Sequence, residues 1–447
     1  MKNSKDNPAI ISDRITVTYG DMDLLCHIFA EILTISRLIL IKSRTDVPSI
    51  MGYAASMYSG AAVMLCEDKD FDGNIIEKYA PSYIWQIGEN IPAGYSEVYG
   101  NYGYVLLRAE KEVKYRINEN LALLLSTSGS TGSGKFVRIS HKNIADNTSA
   151  IIQALRIKER DRAMVMLPIS YTYGLSLVNT YLNVGAVLLV TEYPVYHSAF
   201  WEFAKKHSCS AICGVPYTYE LIKKLGFLKN PPVSLRMATQ AGGKLAEDTE
   251  KYMLDTALKH NFNFAVMYGQ TEATARMTCH ILNKNPDKLG SAGTVLTGGN
   301  IGTVDGELVY KGENVTMGYA VNYTNLADGD KRGEVLYTGD MGFIDRDGFV
   351  YITGRKKSIS KINGNRISLD ELENLIKADC GIAAACTECG DGIHIVLETD
   401  CRDDSVTEYV RNYVIKRTGI NRRLVKAVMI NELPRNKRGK ILYEKIE

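Results

Sequence analysis

The chain has 447 residues, 45% of them hydrophobic, which is enough for a large core and for two to three domains at ~150 residues each. Lysine plus arginine number 53 against 51 aspartate plus glutamate, and a net charge of +2 argues against nucleic acid or an anionic membrane as the main partner. The opening MKNSKDNPAIISD has no apolar run to make a secretory leader. The most apolar stretches, 51–66 and 175–190, are interrupted and short of the ~20 residues of a membrane span, so a cytoplasmic protein is expected.

In chain order, 9–17 reads as a strand pair with a polar turn at Ser12 and Asp13. Thr18-Tyr-Gly-Asp21 follows as a capping box, and the helix after it places Leu24, Leu25, Ile28, Phe29 and Ile32 at helical spacing. Apolar strands recur at 61–66, 121–125, 163–167, 187–190, 210–213 and 264–267, separated by helical segments such as 141–155, 200–207 and 247–260. This alternation predicts an α/β fold with largely parallel sheets flanked by helices.

After about Gly290 the texture changes to short Gly-rich strands, at 306–311, 333–338, 343–345 and 349–352, with Asp345-Arg-Asp-Gly348 as a hairpin turn. A large N-terminal domain over 1–353 is expected, its β-rich lobe at roughly 290–353. A small α+β domain is expected over 354–447. It has a helix at 369–378 capped by Ser368, strands near 382–386 and 393–398, a helix at 406–416 and a strand at 425–430. Nine cysteines are too few for a disulfide framework and odd in number, so reduced thiols are expected. Cys386 and Cys389 form a CxxC near Cys380, His394 and Cys401, but no second CxxC stands at zinc-ribbon spacing.

The most informative stretch is Leu123-Leu-Leu-Ser-Thr-Ser-Gly-Ser-Thr-Gly-Ser-Gly-Lys135. An apolar strand runs into a loop of Ser, Thr and Gly that ends in Lys. Glycines let backbone N–H groups turn toward an anion, hydroxyls add donors, and the lysine adds charge, a chemistry suited to nucleotide phosphates. Gly129-x4-Gly134-Lys135 matches the start of a Walker A loop, but Phe136 stands where Ser or Thr must hold magnesium, and 136–139 reads as a strand rather than a helix. The competing reading is a flexible linker, weakened by the tight strand in front and the terminal lysine.

Three later motifs stand in order: Tyr268-Gly-Gln-Thr-Glu272 at a strand end, Tyr337-Thr-Gly-Asp340 followed by Gly354-Arg355, and Leu433-Pro-Arg-Asn-Lys-Arg-Gly-Lys440. Together with the glycine loop they resemble the adenylate-forming superfamily, which contains acyl-CoA synthetases, luciferases and peptide-synthetase adenylation domains. The resemblance covers nearly the whole chain. It implies that Thr127, Ser128, Gly129, Ser130, Thr131, Gly132 and Lys135 hold ATP phosphates. It also implies that Tyr268 packs on adenine, Thr271 bonds the α-phosphate and Glu272 binds Mg²⁺. Gly242 and Gly243, with Gly269, would let the backbone pass close to the nucleotide. Asp340 would accept the ribose hydroxyls and Arg355 assist at ribose and phosphate. Lys357 matches the hinge, Lys361, Gly364 and Arg366 the loop used in the second half-reaction, and Lys440 the catalytic lysine. Asn436 stands where the family usually has Thr.

The acid-binding part is read from Leu167-Pro-Ile-Ser-Tyr-Thr-Tyr-Gly-Leu175, similar to the acyl-CoA synthetase pattern Pro-x-x-His-x-x-Gly, with Tyr171 at the His position. Thr172 stands where amino-acid-activating relatives use Asp, so an α-amino acid would lack its ammonium partner. Tyr171, Thr172, Gly174, Val215, Gln270 and Met277, with Tyr217 nearby, are expected to line the pocket, and their chemistry favours an aryl or aliphatic acid. The implied reaction joins a carboxylic acid to AMP with release of pyrophosphate, then transfers the acyl group to a thiol. ATP, Mg²⁺ and CoA are the implied cofactors and co-substrate, with a separate carrier protein as the other acceptor. A nucleotide-binding relict without catalysis is the reading from another class.

Overall fold

The structure, a computed structural model, describes residues 5–33, 37–68, 71, 73–126, 135–356, 359–362, 365–389, 392–401, 403–435 and 441–446, without the side chains of 359–362, 365, 366, 368, 371 and 444. The chain forms two compact units. One is Met1–Ile301 with Tyr310–Leu336, and the other is Gly302–Val309 with Tyr337–Glu447.

Two sheets organise the first unit. A nine-stranded sheet runs in the order Thr294–Val295, Thr278–Ile281, Asn263–Tyr268, Met237–Gln240, Ala211–Gly214, Arg162–Met164, Val187–Val190, Pro8–Ser12, Thr16–Thr18. Its six central strands are parallel and its outer pairings antiparallel. The second sheet has eight strands, ordered Gly318–Ala320, Phe136–Ser140, Leu121–Ser126, Ala62–Glu67, Leu38–Ser43, Tyr83–Ile87, Tyr104–Ala109, Tyr95–Asn101. The largest apolar cluster takes side chains from both sheets, such as Ile39, Val63 and Leu123 with Ala163, Leu188 and Met237. Helices Tyr19–Ile32, Val47–Ser59, His141–Leu155 and Thr172–Asn183 fill this layer. The nine-stranded sheet packs its other apolar residues, such as Met164, Ile212 and Phe264, with helices Ser198–Lys206, Pro216–Leu225 and Glu247–His260.

In the nine-stranded sheet the chain leaves Arg162–Met164 for the neighbour Val187–Val190, then returns to Ala211–Gly214 on the other side. That reversal is a topological switch point, where connections diverge and leave a crevice beyond the carboxyl ends of the strands. Residues 165–174, 215–216, 241–243 and 269–272 follow the strands at this edge.

Local chemistry explains the elements and the departures from expectation. Thr18 accepts the Asp21 N–H at 3.1 Å, and Asp21 accepts the Thr18 N–H at 2.8 Å, so the capping box forms. Its helix buries Tyr19, Met22, Leu25, Cys26 and Phe29, while Leu24 is 62% exposed. Leu25 and Phe29 are in the core and Ile28 and Ile32 pack against it as expected, and only Leu24 falls outside the packed face, which extends instead to Met22 and Cys26. Strands expected at 333–338 and 343–345 are one strand, Val335–Ile344, since a bulge between Met341 and Gly342 absorbs the irregularity that looked like a break.

In the second unit, Val335–Ile344 pairs antiparallel with Val350–Arg355 from Asp340–Arg355 to Ile344–Val350. This hairpin joins Gly354 and Arg355 to Met341 and Asp340, and the second compact unit takes up the chain again at Tyr337. The expected helix at 369–378 is an α-helix over Leu369–Leu375 and a wider π turn over Ile376–Cys380, ended by Gly381 at φ 72°. Strands Ala383–Cys389, Gly392–Glu398 and Val425–Ile430 form a sheet whose core includes Leu372, Ile376, Ile395, Val410 and Val414. Cys386 is buried there and Cys389 is exposed; three residues apart on a strand, they point to opposite faces. Among the described residues no group of three or more His, Cys, Asp or Glu side chains is placed to hold a metal, and no helix is long and apolar enough to cross a membrane.

Candidate active site

The strand Asn263–Tyr268 delivers Tyr268-Gly-Gln-Thr-Glu272 to the switch-point edge. Gly269 is obligatory: a Cβ there would lie 1.8 Å from the Ala275 carbonyl oxygen and 2.7 Å from Arg276 Cα. The turn Thr271–Ala273 then places two candidate side chains in sequence. The Thr271 hydroxyl meets that of Thr172 at 2.8 Å, tying the motif to the first residue of helix Thr172–Asn183. Glu272 Oε1 accepts the Tyr319 hydroxyl at 2.8 Å. Burial, and after it the Glu272 charge, push the Tyr319 pKa up, so Tyr319 stays a proton donor.

Two cations stand on the Tyr319 ring. Lys135 Nζ is 3.4 Å from its centre and the Arg332 guanidinium carbon 4.6 Å. Arg332 also reaches the Glu272 carbonyl at 3.4 Å. The strand carrying Tyr319 is fixed by Arg138, which is fully buried and donates to the carbonyls of Met317, Tyr319, Asp328 and Gly329 at 2.5–3.2 Å. Burial lowers the Arg138 pKa, yet four carbonyl dipoles satisfy the charge. The lysine that ends the glycine loop therefore comes within reach of the turn bearing Glu272. Residues 127–132 of that loop lie outside the described residues.

Around the same edge, Gly242 adopts φ +88°, and a Cβ on it would lie 2.3 Å from the Tyr171 hydroxyl. Gly243 follows, packed toward Pro216. Gly174 sits tight under the Pro168 carbonyl, 2.3 Å from where a Cβ would be, which sets the start of the helix against the preceding loop. Tyr173 sends its hydroxyl to Thr239 at 2.8 Å. The Gln270 side-chain nitrogen and the Ser170 hydroxyl are buried without hydrogen-bond partners among the described residues. A narrow cleft lined by Asn147, Thr172, Ser176, Asn179, Thr274 and apolar neighbours opens beside Thr172.

Two of the residues expected at the pocket differ in exposure. Met277 is wholly buried in a small apolar cluster with Ala273, Tyr310, Val315 and Leu336, against which Tyr268 packs. Tyr217 is 55% exposed at the start of helix Pro216–Leu225, because the turn after Val215 points it outward. Val215 is the residue before that helix.

In the second unit, Asp340 is buried and its Oδ1 pairs with Arg355 Nε at 2.7 Å. The Arg355 side chain is half exposed, and its backbone N–H donates to Asp370 at 3.0 Å. Below the pair, Glu307 accepts the Gly339 N–H at 3.0 Å and pairs with Lys356 at 2.6 Å. Burial raises the Glu307 pKa, but these two partners outweigh it and hold the carboxyl below its usual range. Lys361 and Arg366 are opposite each other on strands Ile359–Ile362 and Asn365–Ser368. Lys357, Gly364 and Lys440 lie outside the described residues.

Sequence reasoning missed Tyr319, Arg332, Tyr173 and Arg276. Only Arg276 carried a local signal, as a lone charge in the small and apolar run Ala273-Thr-Ala-Arg-Met277.

The family model of AMP-binding enzymes matches residues 76–320. The chain is similar to the oxalate–CoA ligase of Saccharomyces cerevisiae, 28% identical over 76% of this chain and 67% of that one. It is similar to a 4-coumarate–CoA ligase of Humulus lupulus, 26% identical over 72% of this chain and 64% of the other. The chain thus spans about two thirds of the length of these curated relatives. Among solved structures, the o-succinylbenzoate coenzyme A synthetase of Bacillus subtilis, in complex with ATP and magnesium ion, superposes with a TM-score of 0.74 at 20% identity, covering 98% of this chain and 96% of that one.

Proposed function

The chain belongs to the family of AMP-binding enzymes, and from that premise we propose that it activates a carboxylic acid with ATP to an acyl-adenylate and passes the acyl group to the thiol of CoA. The observation that carries the reading is the meeting of Thr172 with Thr271, and of Lys135 and Glu272 through Tyr319, at the switch-point edge.

In the first half-reaction the acid carboxylate attacks the α-phosphorus of ATP and pyrophosphate leaves. No side-chain nucleophile is needed; positioning and charge stabilisation supply the rate. The loop 127–134 and Lys135 grip the β- and γ-phosphates. Tyr268 offers its ring to adenine, Gly242, Gly243 and Gly269 leave room for the nucleotide, and Thr271 donates to the α-phosphate. Asp340 accepts the ribose hydroxyls and Arg355 orients it. Glu272 fits Mg²⁺, since it presents hard oxygens and its Oε1 is fixed by a neutral donor. When bound, the ion would neutralise phosphate charge. Lys440 stabilises the negative charge between the incoming carboxylate and the α-phosphate. In the second half-reaction the thiol attacks the mixed anhydride and AMP leaves, with Lys357 as hinge and Lys361, Gly364 and Arg366 in the loop that serves this step.

The test is a carboxylic-acid library read by pyrophosphate release, with and without CoA. Acid-dependent pyrophosphate and CoA-dependent AMP support the reading. Acyl-AMP that is discharged by a carrier protein and not by CoA replaces the acceptor. No pyrophosphate from any acid removes the adenylation assignment.

A further inference from the structure

Arg276 is a buried charge that the proposed chemistry does not use. It is 3% exposed, and among the described residues no carboxylate pairs with it. Its Nη1 lies 3.0 Å from the Met267 sulfur, a weak acceptor, and its guanidinium carbon lies 4.7 Å from the Tyr173 ring centre. Among the described residues its Nε has no hydrogen-bond partner. The nearby thiols of Cys213 and Cys279 supply no counter-charge, because burial pushes them up to about 11 and about 12. A structural arginine in a core normally spends its donors on carbonyls, as Arg138 does on four. A buried ion left without a partner costs several kcal/mol.

The backbone is arranged to put this charge where it is. Thr274 and Ala275 adopt φ of 55° and 122°, conformations that side chains disfavour. The buried Asn147 clamps the result, donating to the Arg276 carbonyl at 2.7 Å and accepting its N–H at 3.4 Å. Arg276 Cα packs on Gly269 of the nucleotide motif. The guanidinium stands on the ring of Tyr173, the neighbour of Thr172, whose hydroxyl meets Thr271. The cation thus lies against the turn that carries Thr271 and Glu272 and on the ring of the residue that follows Thr172.

We infer that Arg276 receives a second anionic group of the substrate, so that the acid activated here is a dianion. The inference rests on the proposed function only for the first carboxylate. A second carboxylate matches the planar fork of a guanidinium, and a terminal phosphonate offers the same charge.

The test uses the whole chain. Thermal stabilisation and acid-dependent pyrophosphate release are measured with the dicarboxylates malonate through suberate, with phosphonoacetate, and with monocarboxylates of matching length. One dianion of suitable length should bind at least ~30-fold more tightly than its monoanionic match, and Arg276→Met should erase that ratio while Arg276→Lys keeps part of it. Preference for phosphonoacetate over every dicarboxylate would assign the second group as a phosphonate-like anion. Equal binding of dianions and monoanions by the wild type, or an unchanged ratio in a folded Arg276→Met, overturns the inference. If Arg276→Met does not fold, the wild-type ratio and Arg276→Lys decide. Dianion binding without pyrophosphate release would remove the adenylation reading and leave this one standing; efficient pyrophosphate release with monoanions alone would do the reverse.

Discussion

The Tyr319 hydroxyl donates to Glu272 Oε1 at 2.8 Å across 47 residues of sequence, and Lys135 stands 3.4 Å from the centre of the same ring. One aromatic side chain thus fixes the carboxylate proposed to hold magnesium and spaces it from the lysine proposed to hold phosphate. Tyr319→Phe keeps the ring and deletes the hydrogen bond. A bond to a charged group contributes about 1.5–3 kcal/mol, so kcat/KM for Mg·ATP should fall ~10–100-fold and half-maximal activity should need more Mg²⁺. Pyrophosphate exchange across a magnesium titration measures this, and an unchanged magnesium curve would break the link.

Lys440 carries the charge proposed to act between the acid and the α-phosphate. Lys440→Ala should lower acyl-AMP formation by ~10²–10³, about 2.7–4 kcal/mol in the barrier, while ATP binding stays nearly the same. Single-turnover adenylate formation alongside ATP titration separates the two. Normal acid-dependent exchange in this variant would remove the assignment.

Arg138 bonds four backbone carbonyls from full burial. Arg138→Met leaves those acceptors unsatisfied, and a loss of about 3–5 kcal/mol is expected by urea unfolding. Arg138→Lys should recover only part, since one ammonium cannot reach four divergent oxygens. A loss under about 1 kcal/mol would mean that water replaces the guanidinium at the carbonyls.

Glu250 gives a pH prediction. It is 2% exposed, its Oε2 accepts the Gly290 N–H at 2.9 Å, and its Oε1 has no partner among the described residues. Burial, outweighing that hydrogen bond, raises its pKa to about 7 from 4.5. Between those values the folded chain holds a proton that the unfolded chain has released, so this group's contribution to stability falls as pH rises through that window and levels off above pH ~7. Glu250→Gln should remove the fall and be more stable than wild type at pH 8.5, by about 3 kcal/mol at most, with little difference near pH 4.5. Denaturant unfolding at the two pH values checks it, and parallel pH profiles for the two proteins would refute it.

The sequence made legible what depends on short-range order. Helices His141–Leu155 and Glu247–His260 match their expected limits because caps and period are local. That Tyr268, Thr271 and Glu272 stand together was legible because one strand end presents them. Leu24 was misjudged because it stands one helical step beyond Ile28, past the edge of the face that packs against the core. The burial of Met277 was not legible because a strand start beside a motif can face in either direction. Tyr319 and Arg332 were invisible because they reach Glu272 from 47 and 60 residues away, through strand pairing that no local pattern encodes.

The strand Gly318–Ala320 has a consequence for how the chain reaches its native state. It covers the edge of the eight-stranded sheet by pairing with Phe136–Ser140, and Arg138 anchors it at Tyr319 from 181 residues earlier. Until that late segment leaves the ribosome, Phe136–Ser140 is an open β edge with a cation awaiting its oxygens. Such distant closure slows folding and exposes a template for wrong pairing. Chains arrested before residue 318 should therefore depend on chaperones in a way that completed chains do not.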